Sequence, residues 1–276
     1  MTVDPEQLGR SQADLAETLK GLRRRAGLSQ VRLAMRCNMS QSKISKIENG
    51  DVTPSLLDVE FMLRALEVTP QLASEIMSLA RLANTEWQPF RSLSRRGLGK
   101  VQEELATLES EAREVRYFLP AMISGLLATP EYVRASLGDS LSSNQRTVER
   151  KLERQGILCD ASKEFTFLLT EQAVRWPLVP PSAMVQQIEH LADVSQRENV
   201  RIGVIPLSSN RSIGPMNTFT VYDDRLVTTE AFTGRTVFRD PRDVAEHLDI
   251  FGQFHERSAF GVEARALFRE WSDLFR

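Results

Sequence analysis

Cysteine is nearly absent from this 276-residue chain: Cys37 and Cys159 are too few and too far apart for a disulfide framework. Both read as small buried residues in a reducing compartment. Histidine is scarce too, with only His190, His247 and His255, and no HExxH run or Cys/His cluster has zinc-ligand spacing. His247 and His255 fall on one expected helix and read as surface or rim residues. The chain has no GxSxG elbow, no GxGxxG after a strand and no P-loop. No catalytic residue, metal or cofactor is therefore assigned, and an enzyme is not expected. No stretch approaches the ~20 apolar residues of a membrane span. The polar opening MTVDPEQLGR has no apolar signal core. A cytoplasmic protein without membrane contact is expected.

A strong net charge is also lacking, since 35 Lys and Arg stand against 37 Asp and Glu, a formal −2. That average argues against a surface coated for nucleic acid, but it hides a split. Residues 1–100 carry 15 basic and 11 acidic side chains, net +4, which leaves 20 and 26, net −6, for residues 101–276. Between residues 20 and 50 the basic side chains are Lys20, Arg23, Arg24, Arg25, Arg32, Arg36, Lys43 and Lys46, against Glu48 alone. This local excess has the sign and placement of a phosphate-binding surface.

The excess surrounds GLSQVRLAMRCNMSQSKISKIEN, residues 27–49, which reads as two short amphipathic helices joined by a tight turn. The first runs from Ser29 to Arg36, with Ser29 as N-cap and Val31, Leu33 and Ala34 turned inward. Asn38 makes the turn, because asparagine tolerates the left-handed conformation. Ser40 caps the second helix, which buries Ile44 and Ile47 and turns Gln41, Ser42, Lys43, Ser45 and Lys46 outward. Glutamine pairs bidentately with adenine, lysine with guanine acceptors and serine with either, so this face suits a major groove. Gln41, Ser42, Lys43 and Lys46 are the expected base contacts.

The wording GLSQ, then LA, SQSKIS and KIENG followed by TPS, resembles the Xre, or lambda and 434 repressor-like, helix-turn-helix family over residues 12–83. That family usually has glycine where this chain has Asn38. The resemblance implies a five-helix DNA-binding bundle. Phosphate contacts are expected at Gln30, Ser40, Ser45, Asn49, Arg24 and Arg25, which hold register without reading sequence.

Further helices are expected at 8–26, ending at Gly27, and at 54–66 and 70–83, where Thr53-Pro54 and Thr69-Pro70 place an N-cap before proline. Residues 84–99, with Pro89, Gly97 and Gly99, read as a linker between domains at 1–83 and 100–276. Leu98, Val101, Leu105, Leu108, Ala112 and Val115 then alternate steps of three and four, with Glu103, Glu104, Glu109, Glu111 and Glu114 on the solvated faces. This helix either packs on its own domain or dimerises as a coiled coil; two and a half heptads favour packing. Beyond Pro120, helices at 129–137, 144–158, 181–197, 241–258 and 263–275 alternate with strands at Phe165–Leu169, Val200–Ile205, Thr218–Tyr222 and Val227–Phe232. The fold expected is a mainly α helix-turn-helix bundle followed by an α/β (α+β) domain able to bury its own core.

The runs IxGLLATPEYVRASL, VERKLERQGIL, FLLTEQAV, VRIGVIPL, GPMNTFTVYD and VTTEAF resemble, over residues 85–275, a carboxy-terminal domain of unknown function that follows an Xre-type helix-turn-helix in many actinobacterial regulators. Ala128 stands where that family usually has glutamine. The resemblance implies a domain that senses a ligand or a small protein encoded nearby. Arg154, Gln155, Glu171 and Glu230 are polar groups in or beside apolar runs, where an unpaired buried charge is costly. Either they pair internally, tying helix to sheet, or they line a ligand or partner pocket. The function expected is a transcriptional regulator, a homodimer on double-stranded DNA, with Phe251, Phe254 and Phe260 as core or dimer surface. The alternative is an antitoxin-like or scaffold module whose main role is protein binding.

Overall fold

A computed structural model describes residues 5–89, 98–138, 145–208 and 213–276. The chain divides into two compact units, one reaching to Gln88 and also taking in Thr236–Asp243, the other made of Pro89–Arg235 and Val244–Arg276.

The first unit begins with five helices: α1 (Pro5–Arg25), α2 (Gln30–Cys37), α3 (Gln41–Glu48), α4 (Leu56–Ala65) and α5 (Pro70–Ala83). Leu15, Leu19, Leu33, Ile44, Ile47, Val59, Met62 and Ala80 close one core. Thr69 caps α5 ahead of Pro70, as its sequence signal indicates. The cap of α4 lies elsewhere than the Thr53-Pro54 signal indicates. Ser55 accepts from the Asp58 amide, and Asp58 answers by accepting from the Ser55 amide, a reciprocal capping box. After α5 the chain forms strand β1 (Thr85–Pro89), beside the late strand β7 (Gly234–Phe238), where a linker was expected. Asn84 secures the entry, its Nδ2 donating to the Pro54 and Ala80 carbonyls. The rest of the expected linker, residues 90–97, lies outside the described residues, as does Asn144.

The second unit opens with α6 (Leu98–Glu111) and then β2 (Glu114–Leu119). The three-and-four spacing therefore crosses an element boundary, because Val115 belongs to a strand. Leu108 packs on the unit's core, and the side chains of Leu98 and Val101 lie outside the described residues. Lys163 ends the helix, its Nζ donating to the carbonyls of Ser110 and Ala112 at 2.6 and 2.7 Å. The chain continues through α7 (Pro130–Ser136), α8 (Gln145–Arg154), β3 (Glu164–Thr170), the short α9 (Glu171–Arg175), α10 (Pro181–Val194) and β4 (Val200–Ile205). It closes with β5 (Thr218–Tyr222), β6 (Leu226–Ala231), β7, α11 (Pro241–His255) and α12 (Gly261–Asp273). The strands run in the order β6-β5-β2-β3-β4, with β2, β3 and β4 parallel and the hairpin β5-β6 antiparallel.

Both faces of the parallel strands are covered, which is why β3 reads as an almost unbroken apolar run. Phe165, Phe167 and Leu169 join one core with residues of α7, α10 and α12. On the opposite face Phe118 stacks on Phe254 of α11 at 4.3 Å. Phe251 and Phe254 are thus core, and offer no dimer surface. The free edge of β4 is blunted by a bridge in which Val204 and Ala259 exchange amide hydrogen bonds.

Gly203 of β4 faces Phe260 so closely that a Cβ would stand 2.5 Å from the ring's Cζ and 2.9 Å from Leu168 Cδ2. Gly203→Ala should therefore destabilise the chain by ~1–3 kcal/mol in denaturant unfolding through overpacking. Adding Gly203→Ala to a Phe260→Ala chain should cost clearly less than it does in the parent. Equal penalties in the two backgrounds would refute the contact as their source.

Candidate nucleic-acid interface

Two side-chain caps set the interface. Ser29 accepts from the Arg32 amide at the start of α2, and Ser40 from the Lys43 amide at the start of α3. Asn38 takes the left-handed conformation, φ 54 and ψ 42, and the Met39 amide closes back on the Ala34 carbonyl. The inward face of α2 is Leu33, Ala34 and Cys37, whereas Val31, expected to be inward, is exposed. It stands two residues before Leu33, about 200° round the helix. Of the two cysteines only Cys37 is buried; Cys159 is exposed, contrary to its reading as buried. Burial pushes the Cys37 thiol up, and the nearby Asp58 charge adds to this.

One chain of hydrogen bonds holds α1, α2 and α3 together. Arg23 near the end of α1 grips Glu48, the last residue of α3, through Nε at 2.6 Å and Nη2 at 2.8 Å, and its Nη1 donates to the Leu28 carbonyl. Gln30 Nε2 also donates to Glu48 Oε2, the oxygen that accepts from Arg23 Nη2, at 2.9 Å, and Gln41 Nε2 donates to Gln30 Oε1 at 2.9 Å. The Glu48 side chain is fully enclosed. Burial alone would raise its pKa, but the hydrogen bonds from Arg23 and Gln30, with the charges of Arg23 and Lys20, hold it below its ordinary value.

The residues expected to meet DNA are thus not alike. Gln41, Ser42 and Lys46 are exposed along α3, with Asn49 exposed at its carboxyl end. Ser45 is half-buried, and Ser40 is exposed but serves as a cap. Arg24 and Arg25 are exposed at the end of α1. Gln30 is engaged by both Gln41 and Glu48. Lys43 is turned to α4, its Nζ 2.7 Å from Asp58 Oδ1. Its charge is therefore partly neutralised within the unit, as Arg23 is by Glu48.

In the second unit, three of the four polar residues singled out as a pocket are otherwise engaged, and the fourth, Glu230, is exposed. Arg154 of α8 forms a two-pronged pair with Glu109 of α6, at 2.8 and 2.7 Å, and the Tyr117 hydroxyl of β2 donates to Glu109 Oε1 at 2.6 Å. Glu109, expected among the solvated glutamates, is fully buried. Burial opposes the Arg154 charge, but Glu109 more than compensates and holds the guanidinium above its usual pKa. Burial and the Glu109 charge both push the Tyr117 phenol up. Gln155 donates to the Gly125 and Ala128 carbonyls. Glu171 pairs with Arg175 and accepts from the Leu207 amide at 2.9 Å. Glu230 is an exposed strand residue opposite Thr218. Arg154 therefore meets Glu109 rather than Glu171 or Glu230, and the pairing joins helix to helix and strand.

His247 meets Phe219 edge-on at 5.2 Å. Among the described residues no group of His, Cys, Asp and Glu could hold a metal ion, and no helix is long and apolar enough to cross a membrane.

Two family descriptions match the chain. A helix-turn-helix domain covers residues 14–76, and a domain of unknown function (DUF5753) covers residues 102–270. The helix-turn-helix domain supports DNA binding. No curated protein matches. Among solved structures, the phospholipase D family member Nuc from Salmonella typhimurium is similar at 9% identity and a TM-score of 0.32, over 58% of this chain and 90% of that one. NucT from Helicobacter pylori aligns at 9% identity and a TM-score of 0.38, over 64% and 98%. TrmBL2, an archaeal chromatin protein whose structure shows a novel mode of DNA binding, aligns at 12% and 0.33, over 72% and 65%. At TM-scores this low, none of the three likenesses extends to activity or mode of binding.

Removing one partner of the enclosed Arg23–Glu48 pair leaves an uncompensated buried charge. Arg23→Met should lower stability by ~3–5 kcal/mol, read by chemical unfolding. The pH dependence has a fixed sign. Glu48 titrates lower folded than unfolded, so its contribution is complete above its unfolded pKa of ~4.3 and is lost as pH falls through the folded value. Glu48→Gln should flatten that acid limb. An unchanged acid limb in Glu48→Gln would show that the pair contributes nothing to it.

Proposed function

Since the chain belongs to the family of the domain of unknown function DUF5753, with a helix-turn-helix domain ahead of it, we propose that it is a sequence-specific transcription regulator of Xre type and of the actinobacterial kind. In this reading the helices of residues 1–83 bind DNA, and residues 100–276 dimerise and receive a small ligand or a small regulatory protein. The regulator acts in the cytoplasm on a pseudo-palindromic operator.

The single observation that carries this reading is α3 itself. It is capped at Ser40, tied by Gln41, Gln30 and Glu48 to the rest of the unit, and still presents Gln41, Ser42 and Lys46 to solvent. A helix so constrained offers its polar face with little further loss of conformational freedom on binding. Gln41, Ser42 and Lys46 read base edges, and Lys43 joins them on release from Asp58. Gln30, Ser40, Ser45, Asn49, Arg24 and Arg25 hold the phosphates. One such helix reads too few base pairs, so two copies occupy half-sites about one DNA turn apart. A ligand or partner that prefers one arrangement of the second unit then sets the spacing of the two helices by population shift.

Selection from a random duplex pool with the full chain should enrich a pseudo-palindrome with half-sites ~10 bp apart. Gln41→Ala and Lys46→Ala should each relax preference at one position by ~1–3 kcal/mol, with the unfolding midpoint unchanged in Lys46→Ala and only slightly lowered in Gln41→Ala, which also loses its bond to Gln30. Failure to enrich any sequence would overturn the reading.

Light scattering tests the dimer independently. The full chain at micromolar concentration should have twice the mass of one chain. A monomer would sink this part of the proposal while leaving base reading intact.

A further inference from the structure

A groove of about 590 Å³ opens in the second unit at the amino-terminal ends of β3 and β4. It has no part in the DNA-binding reading. Thr166 of β3 and Arg201 of β4 are registered partners on adjacent parallel strands, so their side chains leave the same face of the sheet. Both line the groove, with Arg197 and the exposed Cys159 at its rim.

The polar groups of this groove are unevenly satisfied. Lys163 is committed to the carbonyls that end α6, and Asn199 Nδ2 donates to the Leu158 and Asp160 carbonyls. Arg116, the registered neighbour of Thr166 on β2, pairs with Glu114. Arg201 has no such partner among the described residues. Among the described residues the Arg197 side chain donates only to the Cys159 sulfur, at 3.4 Å, a weak acceptor. Glu164 and Glu198 line the same groove, yet neither forms an ion pair with either arginine. Thr166 is 8% exposed, and its side chain makes no hydrogen bond among the described residues. Its hydroxyl is therefore left with free donor and acceptor capacity, and Thr166 lines the groove.

We propose that this groove binds a small molecule bearing an oxyanion, a carboxylate or a phosphate, held by Arg197 and Arg201 with the Thr166 hydroxyl donating to it. Guanidinium groups match both oxyanions in geometry and charge. The volume exceeds what the anionic group alone needs, leaving room for a small organic body. The site is independent of the DNA-binding reading and stands or falls separately from it.

Cys159 provides a built-in reporter, because Cys37 is buried. Iodoacetamide alkylation of the full chain, followed by peptide mass at Cys159, is measured with inorganic pyrophosphate and with sodium chloride of equal ionic strength. Pyrophosphate occupying the site slows alkylation by the factor 1 + [L]/Kd, about threefold at twice Kd. Chloride leaves the rate unchanged. Thr166→Val, which keeps the β-branched shape of a strand residue, and Arg201→Gln should each abolish or sharply weaken the protection. Their far-ultraviolet dichroism and unfolding midpoint report that the chain still folds. Repeating the measurement with citrate distinguishes a preference for carboxylates from one for phosphates. Absence of protection by both anions in the wild-type chain, or equal protection in folded Arg201→Gln and Thr166→Val, would overturn the site.

Discussion

The first unit depends on one enclosed carboxylate. Glu48 ends the outward-facing helix and is met from two helices, by the Arg23 guanidinium of α1 and the Gln30 amide of α2. Neither hydrophobic packing nor the caps alone would fix how far α3 is rotated, because Ile44 and Ile47 are compatible with a range of small rotations. A buried two-pronged pair is not, since its donors and acceptors match in only a narrow range of orientations. Gln41, the first residue of α3, joins the same chain through Gln30, so both ends of that helix are referenced to the scaffold.

The second unit uses the same device for a different purpose. Glu109 and Arg154 join two helices that flank β2, and Tyr117 extends the connection into the strand. Replacing such a pair with apolar residues of matching shape is often neutral for stability. Its value lies in specifying which faces of α6 and α8 meet. Around it the sheet does the bulk of the burial, with parallel strands between helical layers and the edge of β4 closed by Ala259. Two units therefore share a logic in which apolar contacts supply the free energy and one enclosed ion pair selects the arrangement.

Much of this was legible in the residues. The turn at Asn38, the caps Ser29, Ser40 and Thr69, and the strands beginning at Val200 and Thr218 follow from local chemistry, and local chemistry is what a sequence carries. Glu109 could have been read as enclosed, because it shares the helical stripe of Leu105, Leu108 and Ala112 rather than the opposite face. Likewise the Ser55-to-Asp58 spacing is a capping signature that competes with Thr53-Pro54. The end of α6 was not legible. Its carbonyls are capped by Lys163, and the amides of Arg113 and Glu114 that come after it bond to Asp223, partners 51 to 110 residues away. The strand β1 was hidden for a similar reason, since its neighbour β7 enters some 150 residues later. The commitments of Lys43 to Asp58 and Gln30 to Glu48 are equally tertiary, so residue type alone made both look free for DNA.

That late neighbour gives the first unit a history as well as a shape. Thr236–Asp243 belongs with the helices that begin the chain, yet a ribosome delivers it only after Pro89–Arg235 of the second unit has been made. During synthesis the five helices can assemble early, because their contacts are local, but β1 must wait with its hydrogen-bonding edge uncovered. Closing so long a loop carries an entropic penalty that grows only slowly with its length. Completion of the amino-terminal unit is thereby coupled to the arrival of residues 236–243, so a chain truncated before residue 236 would leave the ribosome with the edge of β1 still open.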